Sequence, residues 1–336
     1  MKKLENIQLL RALACIGVFV THLAPRMEVQ GLAARIANFG ASGVYLFFLI
    51  SGYLVCMQKD IGRDSSFAQI KNFYIKRLLR ILPLYYAVVL VNIVLHTFLL
   101  QDVTPDPQKL YWLRYFFLTN ALIPAPDNFW SNLSATWTIS LFVVFYLTAP
   151  LWRRLIRGVK SAAAVYLAAL AVRYLWAQTP LNAYMMCLYY LHFFLLGMLL
   201  WEMKEHLARR QATVLLTAGG AAVWGAVKLC GLEPDYFTTW SWVFALIVLW
   251  TQDLSLGCGV VKKTVSLTDR YSYSIYLVHA LVIDGIVLLQ GKIQIPAFAV
   301  LLLAVILTFA GVLAVEVLVE RPVKKLSTRL AAPERI

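Results

Sequence analysis

Long apolar runs recur along the whole 336-residue chain, and they constrain its fold more than any other feature. Each run has about 17 to 25 residues, the length that a helix needs to cross the hydrocarbon core of a bilayer. Hydrophobic residues make up 61% of the chain and charged residues only 14%, too few to cover the surface of a soluble domain. The runs do not alternate apolar and polar residues, so the sequence predicts helices rather than membrane-spanning strands.

These runs predict an all-α membrane helix bundle of about ten transmembrane helices. We expect one integral-membrane domain over residues 1–336, without an additional extracytoplasmic domain. The predicted spans are 6–24, 40–57, 82–100, 135–152, 161–177, 184–201, 213–230, 237–252, 272–289 and 296–319.

The positive charge is concentrated on one side of these spans. Of the 31 lysines and arginines, 24 fall in the terminal segments and in the alternate loops that share their side. Cytoplasmic loops carry the excess of Lys and Arg, so both termini are predicted to be cytoplasmic. The net charge of +14 therefore follows from topology, and no nucleic-acid partner is expected. The five cysteines are scattered without a CxxC pair, so no metal site is expected either.

Arg11 and His22 lie eleven residues apart in the first predicted span. On a helix they fall within about 20° of each other around the axis and about 16 Å apart along it. Ionisable side chains at membrane depth usually face a bundle interior or a water-filled cavity. An inner cation can bind phosphates, and a neutral imidazole three turns deeper can take a proton from a hydroxyl. A coenzyme A thioester, with phosphates at one end and a reactive group at the other, fits this spacing.

Lys76, Arg77 and Arg80 directly precede the third predicted span. Arg77 and Arg80 share one helical face, and planar guanidinium groups suit phosphate binding. Each of these residues also has a structural interpretation: positive-inside anchoring for this segment, snorkelling for Arg11, and a helix-packing hydrogen bond for His22.

Five segments spread from residue 7 to residue 322 resemble the acyltransferase family 3, which comprises integral membrane O-acyltransferases of cell-surface sugars and related molecules. A single Arg-x-x-Arg would be weak evidence, but five segments in the expected order are specific. In chain order they are IQLLRALACIGVFVTHL, GASGVYLFFLISGYL, FYIKRLLRILPLYY, YSYSIYLVHALV and VERP.

The resemblance implies a multi-pass acyltransferase of the bacterial cytoplasmic membrane that modifies polysaccharide. Its expected donor is cytoplasmic acetyl-CoA or another acyl-CoA, and its expected acceptor is a hydroxyl of a cell-surface or lipid-linked carbohydrate. Arg11 and His22 match the essential pair of the family, while Arg77 and Arg80 match its donor-binding motif, with Lys76 beside them. The candidate substrate-binding residues are Ser51, Trp137, Tyr276 and His279.

One segment departs from the family pattern. Many relatives have a glutamate between a Trp-Ser-Leu segment and an aromatic-tyrosine pair, where this chain reads WTISLFVVFYLTAP. Phe142 and Val143 occupy the corresponding positions, so an acid–base role for that glutamate cannot apply here.

Two acidic residues in the last predicted spans are further catalytic candidates. By helical rise, Asp284 lies about 21 Å and His22 about 25 Å from the inner interface. Asp284 could therefore orient His22 or stabilise its charge, although a structural hydrogen bond to another helix explains it as well. Glu316 lies at the depth of Arg11, which suggests either an Arg11–Glu316 ion pair or a direct catalytic role.

The sequence thus predicts that acyl-CoA binds from the cytoplasmic side, the acceptor from the outer side, and that His22 is the general base. Direct transfer and an acyl-His22 intermediate both stay open. The alternative function is a transporter or flippase of a lipid-linked or small hydroxylated substrate, which a bundle with a polar interior would also suit. The pairing of Arg11 and His22 with Arg77 and Arg80 favours the enzyme, because a carrier has no need of it. A non-catalytic scaffold explains the buried ionisable residues least well.

Overall fold

The computed structural model describes residues 4–62, 64–95, 113–122, 133, 136–181, 185–233, 235–257 and 259–330. No β-strand occurs among these residues, and the all-α prediction is confirmed for them. The helices are α1 (Glu5–Leu23), α2 (Gly31–Phe39), α3 (Gly43–Cys56), α4 (Phe67–Ile93), α5 (Leu113–Phe116), α6 (Trp137–Leu155), α7 (Val159–Ala177), α8 (Cys187–His206), α9 (Arg209–Leu229), α10 (Tyr236–Trp250), α11 (Gly259–Gln290), α12 (Ala297–Val315) and α13 (Arg321–Leu330).

Six segments of the described chain are long and apolar enough to cross a membrane. Helices α4, α6 and α8, with 27, 19 and 20 residues, overlap three further predicted spans, and α10 overlaps another. The multi-pass character is therefore supported, while the count of ten spans stays a prediction. The six segments are Glu5–Met27, Gly31–Cys56, Val159–Ala177, Arg209–Leu229, Gly259–Gln290 and Ala297–Leu330.

Helix α11 extends well beyond the predicted ninth span. It begins at Gly259, whereas the apolar run that predicted the span begins at residue 272. The added turns carry polar residues, including Lys262, which pairs with Glu5 at the start of α1. Polar residues end an apolar run but do not end a helix, because the helix satisfies its own backbone hydrogen bonds. The additional turns bring Asp269 and Arg270 into the helical framework.

Helices α3 and α8 pack together through glycines. A Cβ atom added at Gly52 would overlap the carbonyl group of Phe194, and one added at Gly197 would overlap that of Leu49. Small residues allow helix backbones to approach closely in membrane bundles. The Phe194 ring also stacks on Phe145 of α6, with 4.0 Å between the centroids. This packing fixes α3 against α6 and α8.

Helix α1 lies along α11 and runs parallel to it. Nε2 of Gln8, near the start of α1, donates to Asp269 at 3.4 Å, and His22, near the end of α1, contacts His279 further along α11. The hydroxyl of Tyr273 on α11 donates to the backbone oxygen of Ile81 on α4 at 2.7 Å. Helices α1, α4 and α11 therefore enclose a common space.

Candidate active site

Three arginines from two helices converge on one cavity of about 110 Å³, which we call the arginine cavity. Arg11 comes from α1, and Arg77 and Arg80 come from α4, where their i, i+3 spacing places them on one face. The structure thus brings together three of the four predicted donor-binding residues. A concentration of fixed positive charge in a cleft with apolar walls attracts anions.

Arg11 is held by two side chains of α11. Its Nη1 atom lies 2.9 Å from Oδ1 of Asp269, and its Nη2 atom donates to the hydroxyl of Ser272 at 3.2 Å. The predicted ion pair with Glu316 is wrong, because Glu316 instead pairs with Arg270 at 2.9 Å and with Arg321 at 3.4 Å. Asp269 thereby fixes the guanidinium of Arg11 on the α11 side of the cavity.

Arg77 is oriented by aromatic rings. Its guanidinium carbon lies 5.2 Å from the ring centroid of Tyr146 on α6 and 5.7 Å from that of Phe73 on α4. Both distances are within the range of cation–π attraction. Arg80, one turn later, is exposed at the edge of the cavity. A guanidinium that contacts aromatic rings through cation–π attraction can still donate hydrogen bonds to a phosphate.

Ser51 and Tyr276, two of the predicted substrate-binding residues, also line the arginine cavity. Phe142, which stands where relatives have the glutamate, lines it as well and packs against Phe48 with 5.1 Å between the centroids. At this position the wall is therefore apolar, and the arginines dominate the charge of the cavity.

His22 contacts His279, and their hydrogen bonds fix the proton on each ring. Nδ1 of His279 lies 3.0 Å from the carbonyl oxygen of Ile275, and Nδ1 of His22 lies 2.9 Å from that of Val18. A carbonyl oxygen can only accept, so both Nδ1 atoms carry a proton. The single Nδ1 proton of His22 is then shared between the carbonyl oxygen of Val18 and Nε2 of His279, which lies 3.2 Å away. In this neutral pair, Nε2 of His22 keeps its lone pair.

Arg11 and His22 share a face of α1, as predicted, because both contact α11. They do not open into one space, however, since His22 is not among the residues that line the arginine cavity. Tyr276 lies between, lining the cavity on one side and placing its ring 5.8 Å from that of His279 on the other. Its hydroxyl accepts a hydrogen bond from Thr138 of α6 at 3.0 Å, which joins α6 to α11 across the path. The path expected for a thioester between Arg11 and His22 is therefore divided at Tyr276.

The other predicted residues lie outside the arginine cavity. Lys76 pairs with Asp60 at 2.7 Å. Trp137 packs on Tyr190, with 5.0 Å between the ring centroids. Asp284 is half-buried on α11, about 140° around the helix axis from His279 by helical geometry.

The sequence did not reveal the side chains that position the predicted site residues. Asp269 and Ser272 position Arg11, and Tyr146 positions Arg77. The sequence did contain one signal. Asp269 precedes His279 by ten residues, and Arg11 precedes His22 by eleven. Two parallel helices with nearly equal spacings can pair Arg11 with Asp269 and His22 with His279.

Comparison with known proteins places the sequence in a family. The sequence profile described as "Acyltransferase domain" matches residues 4–317. The chain is 26% identical over 193 residues to the acyltransferase MdmB of Streptomyces mycarofaciens, covering 54% of this chain and 49% of that protein. It is 30% identical over 185 residues to nodulation protein 10 of Rhizobium leguminosarum bv. viciae, covering 50% and 49%.

A third relative is the peptidoglycan O-acetyltransferase OatA of Listeria monocytogenes, which is 27% identical over 158 residues, covering 44% of this chain and 24% of that protein. The chain thus spans about half the length, or less, of the curated relatives it matches. No solved structure matches it.

Proposed function

The chain belongs to this acyltransferase family, and we propose that it moves an acyl group, expected to be acetyl, from cytoplasmic acyl-CoA to a hydroxyl of a cell-surface or lipid-linked carbohydrate. The observation that carries the proposal is the position of the arginine cavity beside the contact between His22 and His279, with Tyr276 touching both. The name of the Listeria relative, a peptidoglycan O-acetyltransferase, supports a glycan acceptor. The six apolar segments support a multi-pass protein, which we place in the bacterial cytoplasmic membrane with ten spans and both termini inside.

The donor binds through its phosphates. Arg11, Arg77 and Arg80 supply the cationic groups, and two guanidinium groups suit a pyrophosphate. The thioester arm then runs along α1 and α11 toward His22, past Tyr276. Its passage requires the hydrogen bond between Tyr276 and Thr138 to open.

Acyl transfer then proceeds with His22 as the general base. Nε2 of His22 takes the proton of the acceptor hydroxyl while the hydroxyl oxygen attacks the thioester carbonyl. The tetrahedral intermediate collapses, the carbon–sulfur bond breaks, and the imidazolium returns its proton to the departing thiolate. Nε2 of His279 accepts a hydrogen bond from Nδ1–H of His22 throughout, so that Nε2 of His22 faces the acceptor. The ester and free CoA are the products.

The direct test is acylation of surface glycans in a strain that carries His22→Ala. The variant protein must insert at the wild-type level, and His206→Ala, which alters an exposed histidine of α8, is the matched control. We expect glycan acylation, measured by mass spectrometry, to be lost with His22→Ala and kept with the control. Wild-type acylation in the His22→Ala strain would remove His22 from the mechanism, and an acyl group recovered on His22 would indicate a covalent intermediate.

A second test separates the enzyme from a carrier that performs no chemistry. CoA should stabilise the purified protein against heat, because a ligand that binds only the folded state raises its stability. The stabilisation should disappear in the Arg77→Ala, Arg80→Ala double variant and persist in Arg154→Ala, which removes an exposed arginine of α6. A wild-type protein that CoA does not stabilise would favour the carrier.

A further inference from the structure

A second, larger cavity adjoins the arginine cavity. It has a volume of about 620 Å³ and lies between α4, α11 and the segment that runs from Glu316 through α13. Arg80 and Tyr273 line both cavities, so they form the boundary between them. We call this space the vestibule. Arg270, which also lines it, precedes His279 by nine residues, about 13 Å along α11, so the vestibule opens on the side away from His22.

The vestibule is strongly cationic. Its two carboxylates, Glu316 and Glu320, are outnumbered by five cations, of which Lys76 is paired with a carboxylate outside the vestibule, that of Asp60. The carboxylate of Glu316 already lies between two of these cations, and Glu320 bonds to the hydroxyl of Ser274. The surplus positive charge is therefore available to an anionic ligand. The cations are Lys76, Arg80, Arg270, Arg321 and Lys324.

A buried carboxylate holds this cationic wall in place. Glu316 begins a π-helical segment, Glu316–Glu320, that joins α12 to α13, and its side chain is only 9% exposed. It pairs with Arg270 of α11 and Arg321 of α13, whose side chains remain 57% and 64% exposed. Such π-helical turns occur frequently at functional sites. The arrangement fixes the positions of the cations and leaves them open to a ligand.

The volumes of the two cavities suit different parts of one long ligand. Small-molecule sites usually measure about 300 to 1,000 Å³, a range that includes the vestibule and excludes the arginine cavity. The arginine cavity therefore suits a narrow part of the donor, and the vestibule suits a bulky part. An acyl-CoA has this form, since a slender pantetheine arm is joined through a pyrophosphate to a phosphorylated adenosine.

We propose that the vestibule binds the adenosine end of the acyl-CoA donor, with its 3′-phosphate on Arg270, Arg321 and Lys324. The pyrophosphate then lies at Arg80 and extends toward Arg77 and Arg11, and the arm continues through the arginine cavity. The assignment rests on the proposed function. Anionic lipid headgroups present the same phosphate chemistry, but continuity with the arginine cavity through Arg80 and Tyr273 favours the nucleotide.

The test compares two ligands that share the thiol arm. CoA carries the nucleotide and pantetheine does not, so only the affinity for CoA should depend on the residues of the vestibule. Dissociation constants are measured for both on the purified protein in nanodiscs of zwitterionic lipid. The variants are Lys324→Ala, Lys324→Glu and the Arg321→Ala, Lys324→Ala double variant, and the control is Lys325→Ala, whose position on α13 is next to Lys324 but outside the cavity lining.

We expect Lys324→Ala to weaken CoA binding about two- to fivefold, the effect of one exposed ion pair. Lys324→Glu and the double variant should weaken it about tenfold or more, because a repulsion or a second lost cation adds to the effect. Pantetheine binding should not change in any variant, and Lys325→Ala should bind both ligands as the wild type does. Unchanged melting temperatures exclude misfolding.

Two results would overturn the inference separately from the proposed function. If the wild type binds CoA and the vestibule variants bind it equally well, the nucleotide lies elsewhere and the proposed function stands. If those variants instead lose phosphatidylglycerol in native mass spectrometry while keeping CoA, the vestibule is a lipid site. A wild type that binds no CoA would refute both the inference and the proposed function.

Discussion

The hydrogen bond between His22 and His279 yields the most specific prediction. His279 is 1% exposed and supplies the Nε2 atom that accepts from Nδ1 of His22. Replacing it with leucine keeps an apolar side chain in the space and removes the acceptor. Nδ1 of His22 then keeps only the carbonyl oxygen of Val18 as a partner, and the ring is less firmly held with Nε2 toward the acceptor.

The size of the effect follows from one neutral hydrogen bond. Such a bond contributes about 0.5 to 1.5 kcal/mol, which corresponds to a rate about two- to twelvefold lower. Loss of the general base itself in His22→Ala should cost about 10²- to 10⁴-fold. His279→Leu should therefore be impaired far less than His22→Ala. His279→Gln places an amide oxygen near the original Nε2 position and should restore most of the activity, whereas the shorter His279→Asn should not.

The assay is the initial rate of acetyl transfer from labelled acetyl-CoA to surface glycan in membrane vesicles, normalised to the amount of inserted protein. Melting temperatures of the purified variants separate a positioning role from a packing role. Two outcomes would refute the reasoning: a His279→Leu enzyme as fast as the wild type, or a His279→Gln enzyme as slow as His279→Leu with an unchanged melting temperature.

Three further predictions concern the residues around the site. Asp269→Asn removes the negative charge of the carboxylate 2.9 Å from Arg11 and leaves the charge of Arg11 uncompensated in a half-buried site. Both the melting temperature and the transfer rate should therefore fall, and a wild-type rate would contradict this. Arg77→Lys keeps the charge but loses the planar group that lies 5.2 Å from the Tyr146 ring, so its dissociation constant for CoA should rise about tenfold, as for a lost charge-assisted hydrogen bond. Equal affinity in calorimetry would count against that contact. Gly197→Val forces α3 and α8 apart and should destabilise the protein by about 1 to 3 kcal/mol or more, seen as a lower melting temperature in detergent.

Features within a single helix were predictable from the sequence, and contacts between helices were not. Helical geometry alone places Arg11 and His22 on one face, and Arg77 and Arg80 on another, because the turn per residue is fixed. The partner of His22 depends instead on how α11 is rotated and shifted along α1. Helical rise places Asp284 near the depth of His22 and so suggested it as the partner of His22. Depth does not give the rotation of α11 about its axis, however, and the structure places His279 against His22.

The division of the site at Tyr276 could not be predicted from the sequence either. It depends on a hydrogen bond between Thr138 and Tyr276, residues 138 positions apart in the chain. The extension of α11 to Gly259 was missed for a different reason, because an apolar run measures the thickness of a bilayer and not the length of a helix. Asp269, the observed partner of Arg11, lies in those additional turns, so Glu316 was expected in its place.

The central claim is that one donor molecule connects the arginine cavity to His22. A structure of the protein with a non-hydrolysable acyl-CoA analogue tests it most directly through the distance from the acyl carbonyl carbon to Nε2 of His22. An acceptor oxygen must fit between these atoms, about 3 Å from the nitrogen and about 3.5 Å from the carbon, so the distance should be at most about 6.5 Å. The account also predicts that Tyr276 has turned away from Thr138. An analogue whose acyl group points away from His22, with the bond between Tyr276 and Thr138 intact, would contradict it.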